Sequence, residues 1–207
     1  MKDNGSTEQA ILKAAEEEFL EKGLDGARTV RIARSAGVTH SMLHYYFRTK
    51  EQLFDRIMES KFQLIVRSVL SCLGDESLPL LERIRSGMSD HFDFLTGNPG
   101  LPRFMLNEVL NKPDVYAALQ DGLSRNGKGI IEGLQAAVDK AAEAGEIERV
   151  DARMLAMDIM ALNLFSVMAY PVVKHVLHFP PVGESEFLQA RKKENIETII
   201  KRLSKRI

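Results

Sequence analysis

The segment from Thr29 to Lys50, TVRIARSAGVTHSMLHYYFRTK, constrains the fold of this chain more than any other stretch. It reads as two short helices joined by a tight turn, then an aromatic cluster and a lysine that opens a third helix. Thr29 is placed to N-cap the first helix, because its hydroxyl can accept a bond from a free backbone N–H two or three residues on. Gly37, after Ala36, supplies the positive φ that a residue past a helix end often needs. Thr39 then caps a second helix running to about Phe47. Helices this short bury little on their own, so they must pack on neighbours and turn one face outward. Between Gly26 and Lys50 stand five basic residues (Arg28, Arg31, Arg34, Arg48 and Lys50) and no acidic one. A helix-turn-helix of that charge points to the phosphate backbone of double-stranded DNA.

The charge signal is local. The whole chain carries a net charge of −1 and a pI near 6.5, so it is no general polyanion coat. Met1 to Lys50 holds eight basic and seven acidic residues, and the acids sit almost entirely in the first helix (Glu8, Glu16, Glu17, Glu18, Glu21) and at Asp25. That gradient sets one face toward DNA and another toward solvent. The single cysteine, Cys72, excludes an internal disulfide, fits a reducing cytosol and reads as a small buried hydrophobe. The polar start MKDNGSTEQ shows no signal peptide. The longest uncharged run, Ile159 to Val173, is 15 residues, shorter than the ~20 of a spanning helix. The expectation is a cytoplasmic protein without a membrane segment.

Helical signals dominate, with no convincing strand, so the expected class is all-α. Ser6-x-x-Gln9 has capping-box spacing for a first helix to Lys22, stopped by Gly23. Thr49-x-x-Gln52 repeats that spacing and starts a long helix to about Leu73, with Lys61 contributing only its stem to the apolar side. Helices follow over about Leu78–Thr96 and Leu101–Asn111, then one opened by Pro113 and reaching about Ala144. Asp151 is placed to cap a helix to Tyr170 that Pro171 stops or kinks. His178 to Gly183 is a loop, and a last helix spans about Ser185 to Ile207. This gives a three-helix DNA-binding head over residues 1–50 and a larger helical domain over 51–207.

Thr29, Ile32, Ala33, Ala36, Gly37, Val38, Leu43, Phe47, Lys50 and Leu53 stand at the spacing found in TetR/AcrR-type transcriptional regulators, and the chain resembles that family over about Ser6 to Phe54. The resemblance implies a homodimer, with ligand sensing and dimerisation in the helical domain 51–207, that binds a pseudo-palindromic operator as a repressor and is released by a small molecule. Carried over position by position, it implies that Thr29 and Lys50 hold phosphates, with Arg31 beside them. Thr39, His40, Ser41 and Met42 would face base edges in the major groove. His44, Tyr45 and Tyr46 would contact backbone or thymine methyls. His44 departs from the family, which usually has Tyr there; it keeps a donor, shortens the reach and brings a group that titrates near ~6.5. Met42 stands where a small polar residue is common and offers an apolar contact.

The rest of the chain carries weaker signals. Its Phe and Met residues suit an adaptable apolar pocket between helices as well as ordinary core. Phe62, Phe92, Phe104, Asn107 and Phe165 are the candidates to line a site for a small apolar or amphipathic effector. Asn163 and Ser166 could also orient a ligand, or satisfy each other and backbone carbonyls. Two stripes, Leu155-Ile159-Leu162-Ser166 and Ile196-Ile199-Ile200-Leu203, are the candidate dimer faces. The basic runs Arg191–Lys193 and Lys201–Arg206 read as solvated faces. His40 and His44 lie at i, i+4 without a third ligand nearby. Gly122 to Gly129 falls one residue short of a phosphate-binding loop, since Gly129 stands where Mg²⁺ chemistry needs a hydroxyl. No nucleophile–base pair, metal cluster or cofactor loop stands out, so no catalytic residue, metal or cofactor is expected. Effector identity, operator sequence and the sign of regulation are not written in the chain.

Overall fold

A computed structural model describes residues 4–71, 77–111, 129–176, 178 and 183–205; within its helices the side chains of 4, 62, 65–71, 105 and 108–111 lie outside that description. Among the described residues there are nine helices and no strand. They are α1 (Asn4–Gly26), α2 (Thr29–Ser35), α3 (His40–Tyr46), α4 (Lys50–Ser71), α5 (Leu80–Gly97), α6 (Gly100–Asn111), α7 (Ile130–Glu143), α8 (Ala152–Val176) and α9 (Glu184–Leu203). Contacts gather the chain into two compact units, one of residues 1–64 with 103–119 and one of 65–102 with 120–207. The first unit thus takes the start of α4 and much of α6 along with the helix-turn-helix.

The first unit is built on α1. Ile11, Ala15 and Phe19 are fully buried along one side of it, as their spacing predicts. Phe19 meets Phe54 of α4 edge-on at 5.1 Å, and Phe54 meets Phe104 of α6 at 5.9 Å. Ile32, Ala33 and Leu43 close the same core from α2 and α3. The regular helix in α1 ends where expected, at Gly23 with φ 67°. Its start differs: α1 is already helical at Asn4, so Ser6 lies inside the first turn and does not cap it.

The second unit packs α8 against α5, α7 and α9. Its core joins Ile84 and Met88 of α5, Leu134 and Val138 of α7, Leu155 and Ile159 of α8, and Ile199 and Leu203 of α9. These residues correct the expectation for the dimer stripes: Leu155, Ile159, Ile199, Ile200 and Leu203 are buried within their own chain. Helical period shows that a stripe is apolar; it does not show what covers it. The opposite side of α8 leaves Met154, Met157, Phe165, Val172 and Val176 more than half exposed.

Two further helix boundaries depart from expectation. Gly129 has φ 87° at the N-cap of α7, so no helix runs unbroken up to Ala144. The expected start of that segment at Pro113, most of the Gly122–Gly129 motif, and Cys72 lie outside the described residues, as does most of the 178–183 loop. Pro171 does not stop α8, which continues to Val176. The ring sits on the exposed side of the helix, where it displaces no neighbour. Around it Tyr170 stacks on Phe187 of α9 at 5.5 Å, and Lys174 lies 3.7 Å from Glu184. By length and composition alone α8, with mean hydropathy 1.5, could cross a membrane, which the 15-residue uncharged run does not suggest. Its inner face is nonetheless committed: Asp151 caps it by accepting from Arg153 N at 2.7 Å, and Leu155, Ile159, Asn163 and Val167 are buried.

Candidate nucleic-acid interface

The turn between α2 and α3 follows from Gly37. As α2 ends, the carbonyls of Ala33 and Arg34 find donors past the helix in place of the regular i+4 partner. Val38 N–H donates to Ala33 O at 3.0 Å and Gly37 N–H to Arg34 O at 3.1 Å. The reversal needs φ 66° at residue 37, which glycine adopts without the penalty of a Cβ. Thr39 then caps α3, its Oγ1 accepting from Met42 N–H at 3.1 Å. Thr49 does the same for α4, accepting from Gln52 N–H at 3.1 Å. Both threonine caps stand where sequence reasoning puts them.

Thr29 has a different task. The N-cap of α2 is Arg28, in extended conformation and without a side-chain cap bond. The carboxylate of Glu18 on α1 fills that role, accepting from Arg28 N–H at 3.2 Å. Its other oxygen lies 3.6 Å from Arg31 Nε. Glu18 is 9% exposed, and its charge at the start of α2 also suits the helix dipole. Sequence reasoning left this residue among the solvent-facing acids of the first helix. With the helix start capped by Glu18, the Thr29 hydroxyl is left to meet His40 Nε2 of α3 at 3.0 Å.

The outer face of α3 is built from residues held at their backbone and open at their side chains. His40, Ser41, Met42, His44 and Tyr45 are all exposed, Tyr45 at 78%. Tyr46 is half-buried and Tyr45 stands edge-on to it at 5.5 Å; Leu43 and Phe47 turn inward. The His40 and His44 rings meet edge to face at 4.4 Å, and His44 Nδ1 donates to the Arg48 carbonyl at 3.2 Å. Ala27, Arg28, Thr29, Val30, Arg31, His44 and Lys50 line a notch of ≈ 640 Å³ beside this face. Lys50 Nζ also reaches Ala27 O at 3.4 Å, tying the start of α4 to the start of α2. The structure thus brings Thr29, Arg31, His44 and Lys50 around one basic concavity, with Thr39 to Met42 on the adjoining helix. Such a surface can neutralise phosphates while presenting a helix N-terminal half to base edges.

The five effector candidates fall in both units. Phe104 is buried and packs on Phe54 in the first unit, where Asn107 is exposed. Phe92 is fully buried in the second unit. Phe165 is 72% exposed on α8, so within one chain it does not line an enclosed pocket. The side chain of Phe62 lies outside the described residues.

Of the two roles open to Asn163 and Ser166, the structure shows mutual satisfaction. Asn163 donates to Met88 O at 2.9 Å and lies 3.3 Å from His91 Nδ1. Asn195 of α9 donates to Asn163 Oδ1 at 3.1 Å and to Leu162 O at 3.0 Å, and lies 3.2 Å from Ser166 Oγ. Burial lowers the His91 pKa to about 4. The basic run of α9 is not simply solvated: Lys192 is paired with Asp93 of α5 at 2.9 Å, and Arg191 donates to Asn195.

Fold and surface together define a helix-turn-helix DNA-binding protein. Residues 11–57 match the model of the N-terminal domain of bacterial regulatory proteins of the tetR family. The helix-turn-helix head is thus a DNA-binding domain of that family's type. It is 24% identical over 152 residues to nucleoid occlusion factor SlmA of Haemophilus influenzae, covering 72% of this chain and 68% of that one. It is 27% identical over 195 residues to the HTH-type transcriptional regulator RutR of Escherichia coli, covering 93% and 87%. The crystal structure of a tetR-family regulatory protein from Rhodococcus superposes with a TM-score of 0.69 at 17% identity, covering 97% of this chain and 98% of that one. That likeness extends the shared fold to the second unit.

Proposed function

We propose that this protein is a homodimeric cytoplasmic repressor, not an enzyme, that binds a pseudo-palindromic operator and leaves it when a small apolar or amphipathic molecule binds the helical body. The observation that carries the reading is the α3 face, a capped helix with exposed His40, Ser41, Met42 and Tyr45 beside the basic notch of Arg28, Arg31 and Lys50. Phosphate contacts from Thr29, Arg31, His44, Tyr46 and Lys50 would fix register, and Thr39 to Met42 with Tyr45 would read bases. Arg31 does this while braced by Glu18, and Lys50 while bonded to Ala27.

The dimer face we assign is the outer side of α8. Met154, Met157, Phe165, Val172 and Val176 form an exposed apolar stripe, a kind of surface monomers rarely leave uncovered. A twofold partner would bury it and pair two heads on one duplex. The effector would act through α4, which starts at Lys50 beside the notch. It shifts occupancy only by preferring the conformation that does not bind DNA.

Transcription in vitro from a promoter overlapping a selected operator tests this reading. Repression, relieved by a compound that also raises the unfolding midpoint of the protein, supports it. Activation at that promoter would reverse the sign. Operator binding without any effect on transcription would favour a role nearer that of the relative named for nucleoid occlusion.

A further inference from the structure

The histidine pair of α3 has a consequence beyond contact with DNA. We infer that His40 and His44 form a proton-linked unit that makes operator affinity rise as pH falls through the neutral range; this deepens the DNA-binding reading and rests on it.

The geometry assigns the proton sites. A carbonyl can only accept, so the 3.2 Å bond from His44 to Arg48 O places the proton of the neutral ring on Nδ1 and leaves Nε2 bare. His40 Nε2 faces the Thr29 hydroxyl at 3.0 Å, a group that rotates to donate or accept as the ring requires. A proton taken from solvent onto either ring therefore breaks no existing bond. The two rings stand perpendicular with centroids 4.4 Å apart. One imidazolium edge against a neutral ring face is favourable, whereas two imidazolium rings at that distance repel.

The surroundings set the direction. His44 lines the notch with Arg28, Arg31 and Lys50, Arg48 supplies its acceptor carbonyl, and Arg34 is the remaining charge of α2. Of the acidic groups on the packed elements, Glu18 is engaged by Arg28 N–H and Arg31, and Glu21 is paired with Lys22. Asp25 and Glu51 are solvent-exposed. In the free protein these basic groups make the notch a region of positive field. Duplex phosphates seated in the notch reverse that field. A proton held more tightly in the complex than in the free protein requires, by reciprocity, that protonation tighten the complex.

The test is the affinity of the full chain for its selected operator between pH 6 and 8.5 at fixed ionic strength, beside a His40→Gln/His44→Gln variant. The wild type should gain affinity as pH falls, by at most about tenfold per pH unit for each proton taken up, and the variant should bind with a flat profile. A wild type that binds with a flat profile, or a variant that keeps the slope, overturns the inference and leaves DNA binding standing. Absence of operator binding at every pH overturns the DNA-binding reading and this inference with it. Calorimetry of wild-type binding in phosphate and in Tris needs no variant: a net proton uptake agrees with the inference, and zero uptake contradicts it.

Discussion

In the first unit the buried carboxylate of Glu18 is met by the Arg28 backbone and Arg31, groups on the short helix it holds in place. In the second, Asn163 and Asn195 lie fully inside and tie α5, α8 and α9 to one another through side-chain and backbone bonds. Both arrangements satisfy buried polar groups, and they do different things. The first fixes a small scaffold from its edge and leaves the side chains of α3 free to face a partner. The second fixes the register of three packed helices from within, and nothing outside needs to touch it. Substitutions in the second unit should therefore act on stability, and those on α3 on binding.

The sharpest way to break this contrast is to attack each core directly. Phe54→Ala removes the ring between Phe19 and Phe104 and should cost about 3–5 kcal/mol in urea unfolding; a smaller loss would mean the head core repacks around it. Acid should weaken the second unit more than the first. The unfolded chain protonates His91 below about pH 6.5, while the folded protein resists until about 4. The folded pKa is depressed, so this contribution is complete above about 6.5 and declines as pH falls toward 4, by up to about 1.4 kcal/mol per pH unit. His91→Gln should remove that part of the acid sensitivity, and an unchanged profile would place its origin elsewhere.

Asn195→Ala takes the donor from the buried Asn163 Oδ1 and should cost about 2–3 kcal/mol, with operator affinity kept in the fraction that stays folded. Smallest is Thr39→Ala, which deletes the α3 cap at a cost of about 1 kcal/mol. It should nonetheless weaken binding visibly, because the lost bond orders the helix that faces DNA. Equal effects of Asn195→Ala and Thr39→Ala on binding would erase the division between the two regions.

The helix-turn-helix was legible because its determinants are local. Gly37, Thr39 and Thr49 act within four residues of themselves, and Ile32, Ala33 and Leu43 share one small core. Glu18 was not legible, since its partners lie ten or more residues away and a carboxylate on a charged helix looks like any solvated one. The true partner of Thr29 was hidden for the same reason: capping depended on Arg28 and Glu18, so the hydroxyl was free for His40. On α8 the period predicted an apolar stripe correctly and its use wrongly. The helix is apolar on both sides, and only packing on α5, α7 and α9 separates the buried Leu155 and Ile159 from the exposed Met157 and Phe165. Asn195 escaped because an amide within a basic helix carries no signal until Asn163 is placed beside it.

The measurement that bears most directly on the central claim is selection of duplexes bound by the full chain from a random pool, followed by affinity at several salt concentrations. The account predicts enrichment of a short pseudo-palindrome whose binding weakens steeply with salt, with the slope reduced in Lys50→Ala and the sequence preference relaxed in Met42→Ala. Binding without an enriched sequence, or an enriched sequence indifferent to changes on α3, would contradict the assignment of that face as the reader.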